Sequence, residues 1–110
     1  MSDMMERNSG AVLWDRAKEI IPGGNQLLSK RAEQFLPDYW PAYYQSAKGC
    51  HIQDLDGNLL RDFSIMGIGT CSLGYAHPEV TDAVISAIQK GSMSSLNCYE
   101  EVELAEELIN

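Results

Sequence analysis

Apolar residues recur along this chain with two different periods, and the change from one to the other marks its parts. Val12, Leu13, Ala17, Ile20 and Ile21 roughly follow a helical stripe, with Trp14 at one edge, and predict a helix over 11–21. Pro22-Gly23-Gly24 stops it. From Asn25 to Pro41 the periodicity is weak. Pro37, Pro41 and the aromatics Phe35, Tyr39 and Trp40 predict an extended, irregular connection that packs on something.

The next stretch, 42–63, predicts a small β-meander. Tyr43-Tyr44, Cys50 to Asp54 and Leu59 to Phe63 form three short strands, the first two separated by Gly49. Asp56-Gly57-Asn58 separates the second and third, and Asp-Gly supplies the positive φ angles that a tight turn requires. Asp54 and Asp56 flank this turn and are expected to shape it. Gly67-Ile68-Gly69-Thr70-Cys71-Ser72-Leu73-Gly74 follows, glycine-rich enough for a sharp bend or a close backbone approach.

Helical spacing then returns. Pro78 suits a first helical turn, Val80, Val84, Ile85 and Ile88 give an apolar face, and Gly91 ends a helix over 78–90. Asn97, with Glu100 three residues on, is expected to cap a last helix over 98–109. Its apolar side is Val102, Leu104, Ala105, Leu108 and Ile109, and its Glu100, Glu101, Glu103, Glu106 and Glu107 form a solvated face. No stop signal follows it.

Composition narrows the function classes. The chain has 110 residues and a formal net charge of -8, and its basic residues are scattered, which disfavours nucleic acid and anionic membranes. No apolar run reaches spanning length, and the polar opening Met1–Gly10 has no export core. Cys50, Cys71 and Cys98 are far apart and form no CxxC pair, so a metal site is not expected. The cysteines read as reduced thiols in a cytoplasmic protein. The Gly67–Gly69 GxG lacks the third glycine of a dinucleotide fingerprint, which removes NAD. His77, placed before Pro78, reads as a packing or capping residue, and His51 as a strand residue.

The order of particular residues goes further. Leu13-Trp14-Asp15-Arg16-Ala17 with Ile20-Ile21-Pro22-Gly23-Gly24, then Ala47-Lys48-Gly49-Cys50 with Asp54-Leu55-Asp56-Gly57-Asn58, then Gly67-Ile68-Gly69 with Leu73-Gly74-Tyr75-Ala76-His77-Pro78-Glu79-Val80, and Glu101-Val102-Glu103-Leu104-Ala105-Glu106 stand in a fixed order. Together they resemble class III pyridoxal-phosphate-dependent aminotransferases of the glutamate-1-semialdehyde aminomutase type, over about residues 12–110. The stretch Gly23 to Pro41 resembles a subgroup linked to surface-polysaccharide or amino-sugar pathways.

The resemblance implies the N-terminal part of a fold-type I PLP-dependent transferase, of mixed α+β/α/β class. Its parts are an N-terminal helix, a small antiparallel β-hairpin sheet, and two helices leading to a large catalytic domain absent from these residues. It implies pyridoxal 5'-phosphate (PLP) as cofactor in the full-length enzyme, a small-molecule amino donor and carbonyl acceptor, and a homodimer. In the family the Schiff-base lysine, the Ser-Gly-Thr phosphate segment and the aspartate facing the pyridine nitrogen all come later than position 110. Lys18, Lys30, Lys48 and Lys90 are therefore expected to be surface residues, and no catalytic residue is expected here.

What the resemblance leaves in this chain is a substrate-side wall, with candidates Ser29, Lys30 and Arg31 and Gly67, Ile68 and Gly69. An Arg or Lys there suits a substrate carboxylate, with solvated loop charge as the competing reading. The Asn-Ser-Pro-Val-Arg stretch of the glutamate-1-semialdehyde enzymes is absent, which counts against assuming their amino-acid-like substrate. Aminotransferase and 2,1-aminomutase stay open as alternatives, as does a non-catalytic binding or dimerisation module. The expected product is a fragment that is inactive by itself and folds poorly, with an uncovered apolar face.

Overall fold

A computed structural model describes residues 6–64 and 66–110. Of the polar opening Met1–Gly10, residues 1–5 lie outside the described residues. The chain divides into two compact units, Met1–His77 and Pro78–Asn110. The described residues form three α-helices and a three-stranded antiparallel sheet, the fold class that the sequence implies.

In the first unit, α1 (Ser9–Ile20) begins two residues earlier than the apolar pattern predicts. The reason is Asn8, whose side chain accepts the Ala11 N–H at 2.8 Å and so satisfies one of the free donors of the first turn. The helix also turns a different face inward. Ala11, Trp14 and Ala17 are buried, whereas Val12, Leu13, Ile20 and Ile21 are exposed. The expected stripe of large aliphatics thus points outward, and Trp14, expected only at its edge, becomes the centre of the core. Trp14 and Ala17 pack with Ala32, and Ala42 and Tyr43 close on them. An aromatic of this size contributes roughly 4–6 kcal/mol by burial.

Two close approaches permit that packing. A Cβ on Gly10 would lie 2.9 Å from the Ala42 nitrogen, and one on Gly24 would lie 2.6 Å from Trp14 Cη2. The segment predicted to be irregular contains two short 3-10 turns, Leu28–Lys30 and Ala32–Gln34. Phe35 stacks on Trp40 at 4.2 Å between ring centroids, and the Asn8 amide donates to the Tyr39 carbonyl at 2.8 Å.

The sheet runs β1 (Tyr44–Lys48), β2 (His51–Asp54) and β3 (Leu59–Arg61) in sequence order. β1 extends well past the predicted Tyr43-Tyr44, because Ser46, Ala47 and Lys48 pair with Gln53, Ile52 and His51. The register shifts between Tyr44 and Ser46, leaving Gln45 as an extra residue in a bulge. β3 stops at Arg61, short of the predicted Phe63, whose side chain is exposed.

In the second unit, α2 (Pro78–Gln89) and α3 (Glu100–Ile109) bury none of their residues. Gly91 follows α2 at φ 90°. The expected Asn97 cap does not form. The N-cap position of α3 is Tyr99, which has helical dihedrals and makes no side-chain capping bond. Glu100, Glu101 and Glu103 lie in the first turn, where the positive end of the helix dipole favours them. Among the described residues no helix is long and apolar enough to cross a membrane.

Candidate functional site

The two groups of substrate-side candidates sit on different supports within the first unit. Ser29 and Lys30 end the first 3-10 turn and are exposed, while Arg31, the link to the second turn, is half-buried. This loop is fastened to α1 through Glu33. Glu33 Oε1 accepts the Trp14 indole N–H at 2.8 Å and lies 3.4 Å from Lys18 Nζ, and Glu33 Oε2 lies 3.8 Å from Arg31 Nε. The indole hydrogen bond above all, with the residue's own N–H and then Lys18, holds the Glu33 carboxyl below its ordinary value. Arg31 Nε is shielded from water yet lacks a hydrogen bond among the described residues.

Gly67, Ile68 and Gly69 are exposed and belong to an unusual backbone run. Met66, Gly67, Ile68 and Gly69 all have positive φ, at 39°, 70°, 59° and 80°. Glycine adopts that region freely, whereas Met66 and Ile68 pay for it in strain. Thr70 steadies the turn, its hydroxyl donating to the Gly67 carbonyl at 2.8 Å. Among the described residues no hydrogen bond or ion pair joins Ser29–Arg31 to Gly67–Gly69.

The glycine-rich segment is anchored just beyond its end. Gly49, at the tip of the β1–β2 turn, exchanges two backbone hydrogen bonds of 2.9 Å with Tyr75. Gly74 makes the approach possible, since a Cβ there would lie 3.2 Å from Gly49 Cα. The Tyr75 hydroxyl donates to Asp62 Oδ2, and that bond is the chief cause that pushes the Tyr75 phenol up to about 12. Asp62 Oδ1 accepts the Ser64 N–H at 2.7 Å. Tyr75 and Asp62 thus brace both ends of the glycine-rich stretch.

Asp54 and Asp56 hold more than a turn. Asp54 is buried and accepts the N–H groups of Asp56 and Asn58 and the Asn58 amide, which last is the main reason its carboxyl lies below the ordinary value. Asp56 reaches away from the hairpin. Its Oδ2 accepts the Ser9 N–H at 2.9 Å and its Oδ1 the Ser9 hydroxyl, so the β2–β3 turn grips the start of α1. Sequence reading leaves out Glu33 and Asp62, and it misses the contacts of Asp56 with Ser9 and of Tyr75 with Asp62. The partners Trp14, Ser9 and Asp62 lie 19, 47 and 13 residues from Glu33, Asp56 and Tyr75, and no local pattern marks them.

A PLP site requires a lysine amine held in a sheltered pocket, where it can serve as nucleophile. Lys18, Lys30, Lys48 and Lys90 are all exposed, and Lys18 is paired with Asp15 and Glu33. The residues described here do not fit that cofactor by themselves. Nor does His77 offer a pairing that activates it, since its Nδ1 is buried without a partner among the described residues.

The chain is similar in sequence to the glutamate-1-semialdehyde 2,1-aminomutase of Methanothrix thermoacetophila, with 35% identity over 109 residues that make up 99% of this chain and 24% of that protein. In structure it superposes on a transaminase with PLP bound, at TM-score 0.77 and 32% identity, covering 93% of this chain and 23% of the other. An omega-transaminase from Sphaerobacter thermophilus matches at TM-score 0.75 and 28% identity, covering 90% and 21%. The chain therefore spans about a quarter of the length of the relatives it matches. The sequence profile of the class-III aminotransferases matches residues 36–110, which take in the whole sheet, the glycine-rich segment and both helices of the second unit. On that match, the chain belongs to the class-III aminotransferase family.

Proposed function

We propose that these residues form the N-terminal, substrate-side part of a PLP-dependent enzyme that transfers an amino group from a small-molecule donor to a carbonyl acceptor. PLP supplies the electron sink for that chemistry, and residues outside these 110 hold it. The observation that carries the reading is the support given to the two candidate segments. Ser29, Lys30 and Arg31 ride on a loop tied to α1 through Glu33, and Gly67–Gly69 lie on a turn braced by Tyr75 and Asp62. Elements of this kind hold and orient a substrate. Arg31 receives a carboxylate of donor or acceptor, its planar guanidinium offering two parallel hydrogen bonds. The assembly is a homodimer, and the outward aliphatics of α1 give it apolar surface to bury.

The aminomutase reaction of the sequence relatives is the second reading, favoured by the 35% identity over nearly the whole chain. One experiment separates the two. The full gene product is loaded with PLP and given a panel of amines, with and without a 2-oxo acid acceptor. An aminotransferase moves the amino group only when the acceptor is present, and an aminomutase isomerises one substrate without it. Failure to retain PLP, with no amino transfer under either condition, would overturn both.

A further inference from the structure

The segment from Asp62 to Tyr75 is a loop closed at its neck. Both ends are stitched to the β1–β2 turn, where the Asp62 N–H donates to the Cys50 carbonyl at 2.8 Å and Tyr75 exchanges two bonds of 2.9 Å with Gly49. The two ends are also joined to each other, since the Tyr75 hydroxyl donates to Asp62 Oδ2 across 13 residues of chain. The other Asp62 oxygen turns back into the loop and accepts the Ser64 N–H at 2.7 Å. Both residues are half-buried, and a hydroxyl donating to a carboxylate is one of the stronger hydrogen bonds.

Inside this loop lies the strained run. Met66 and Ile68 hold φ 39° and 59° without the freedom of glycine. The run's own backbone bonds are long, with the Cys71 N–H 3.3 Å from the Met66 carbonyl and the Thr70 N–H 3.4 Å from that of Gly67. The Thr70 hydroxyl adds one short bond to Gly67 at 2.8 Å. Strained backbone persists only where its surroundings over-determine it. The closed neck supplies that constraint, because it fixes the span between the loop ends and shuts out relaxed forms that need a wider one.

From this arrangement we infer that Tyr75 and Asp62 are positioning residues, whose hydrogen bond keeps the Met66–Gly69 turn in its left-handed form ahead of substrate binding. The inference rests on the reading of Gly67–Gly69 as part of the substrate wall. Two effects oppose each other in the turn. Strain at Met66 and Ile68 drives it to relax, and the neck resists. The strain and a hydrogen bond to a carboxylate are of similar size, so loss of the bond leaves the left-handed form only partly populated. Substrate affinity then falls by that fraction.

The test uses the full gene product loaded with PLP, and reads amide exchange over residues 66–74 together with KM and kcat for the amine that it turns over fastest in the panel described above. Tyr75→Phe should speed exchange there about fivefold and raise KM about fivefold, with kcat little changed. Met66→Gly relieves strain outside the wall, and the freedom it adds to the relaxed loop is the smaller effect. In that background Tyr75→Phe should change exchange and KM less than twofold, a rescue that a general loss of stability would not show. Should Tyr75→Phe disturb folding by circular dichroism, Asp62→Asn, which weakens the same bond, takes its place in the comparison. Unchanged exchange in Tyr75→Phe, or equal effects in both backgrounds, overturns the inference and leaves the amino-transfer reading standing. Faster exchange with unchanged KM overturns the placing of Gly67–Gly69 in the substrate wall, and the positioning role with it. Absence of turnover with every amine overturns the functional reading itself, together with any positioning role.

Discussion

At the scale of single residues, this chain shows how much depends on groups that sequence patterns pass over. Gly24 is one. It has φ 84°, and a methyl there would collide with the Trp14 ring at 2.6 Å. Gly24→Ala therefore combines backbone strain with a core clash, a cost of about 1–3 kcal/mol. Hydrogen exchange of the α1 amides should speed up on the order of tenfold, since each ~1.4 kcal/mol of local stability is one decade. Unchanged exchange would show that the loop yields freely. Asp54 makes a pH prediction. Its folded-state carboxyl lies below the ordinary 3.8, held there first by the Asn58 amide, so its contribution is complete above that value. That contribution is lost as pH falls through the lower, folded-state value. The amide resonances of Asp56 and Asn58 should keep their native shifts through pH 3.8 and move only below it; movement centred on the ordinary value would contradict the hydrogen-bonded geometry.

At the scale of elements, the chief surprise is how the hairpin and α1 are joined. The partners Ser9 and Asp56 stand 47 residues apart, so no window of sequence reveals the link. Replacing both partners should test it. Asp56→Ala and Ser9→Ala should each destabilise the first unit by about 1 kcal/mol, and the double variant should cost less than their sum. Additive effects in that cycle would mean that the contact carries no coupling. Elements with local signals were easier to read. The Asp-Gly turn, the Pro-Gly-Gly stop after α1, and the return of helical spacing at Val80, Val84 and Ile88 all follow from backbone preferences within a few residues. The inward face of α1 differs from the expected one because its core is built from small residues and one tryptophan, packed against Ala32, from the weakly periodic connection, and Ala42, just before β1. The Asn97 cap failed for a related reason. Cap residues compete with other local turns, and the loop before α3 closes through Ser94 and Leu96 instead. The candidate segments come from the resemblance alone, and the contacts of Glu33, Tyr75 and Asp62 that support them are marked by no local pattern.

At the scale of the whole molecule, burial is concentrated in a small core around Trp14, and both helices of the second unit leave their apolar stripes uncovered. Val84, Ile85, Leu104 and Leu108 are each at least half exposed. Surface of this kind calls for a covering layer. The 110 residues expressed alone should therefore bind a hydrophobic dye and melt over a broad range; a sharp, cooperative transition in a monomer would count against this account. The central claim is that these residues shape a substrate wall, and that the reactive amine for PLP lies outside them. The most direct measurement incubates the isolated 110 residues with PLP, traps any Schiff base with borohydride, and maps the modified lysines by mass spectrometry. The account predicts only sparse, unselective labelling spread over the exposed Lys18, Lys30, Lys48 and Lys90. Stoichiometric capture at a single one of them, with the visible absorbance of a stable Schiff base, would contradict it.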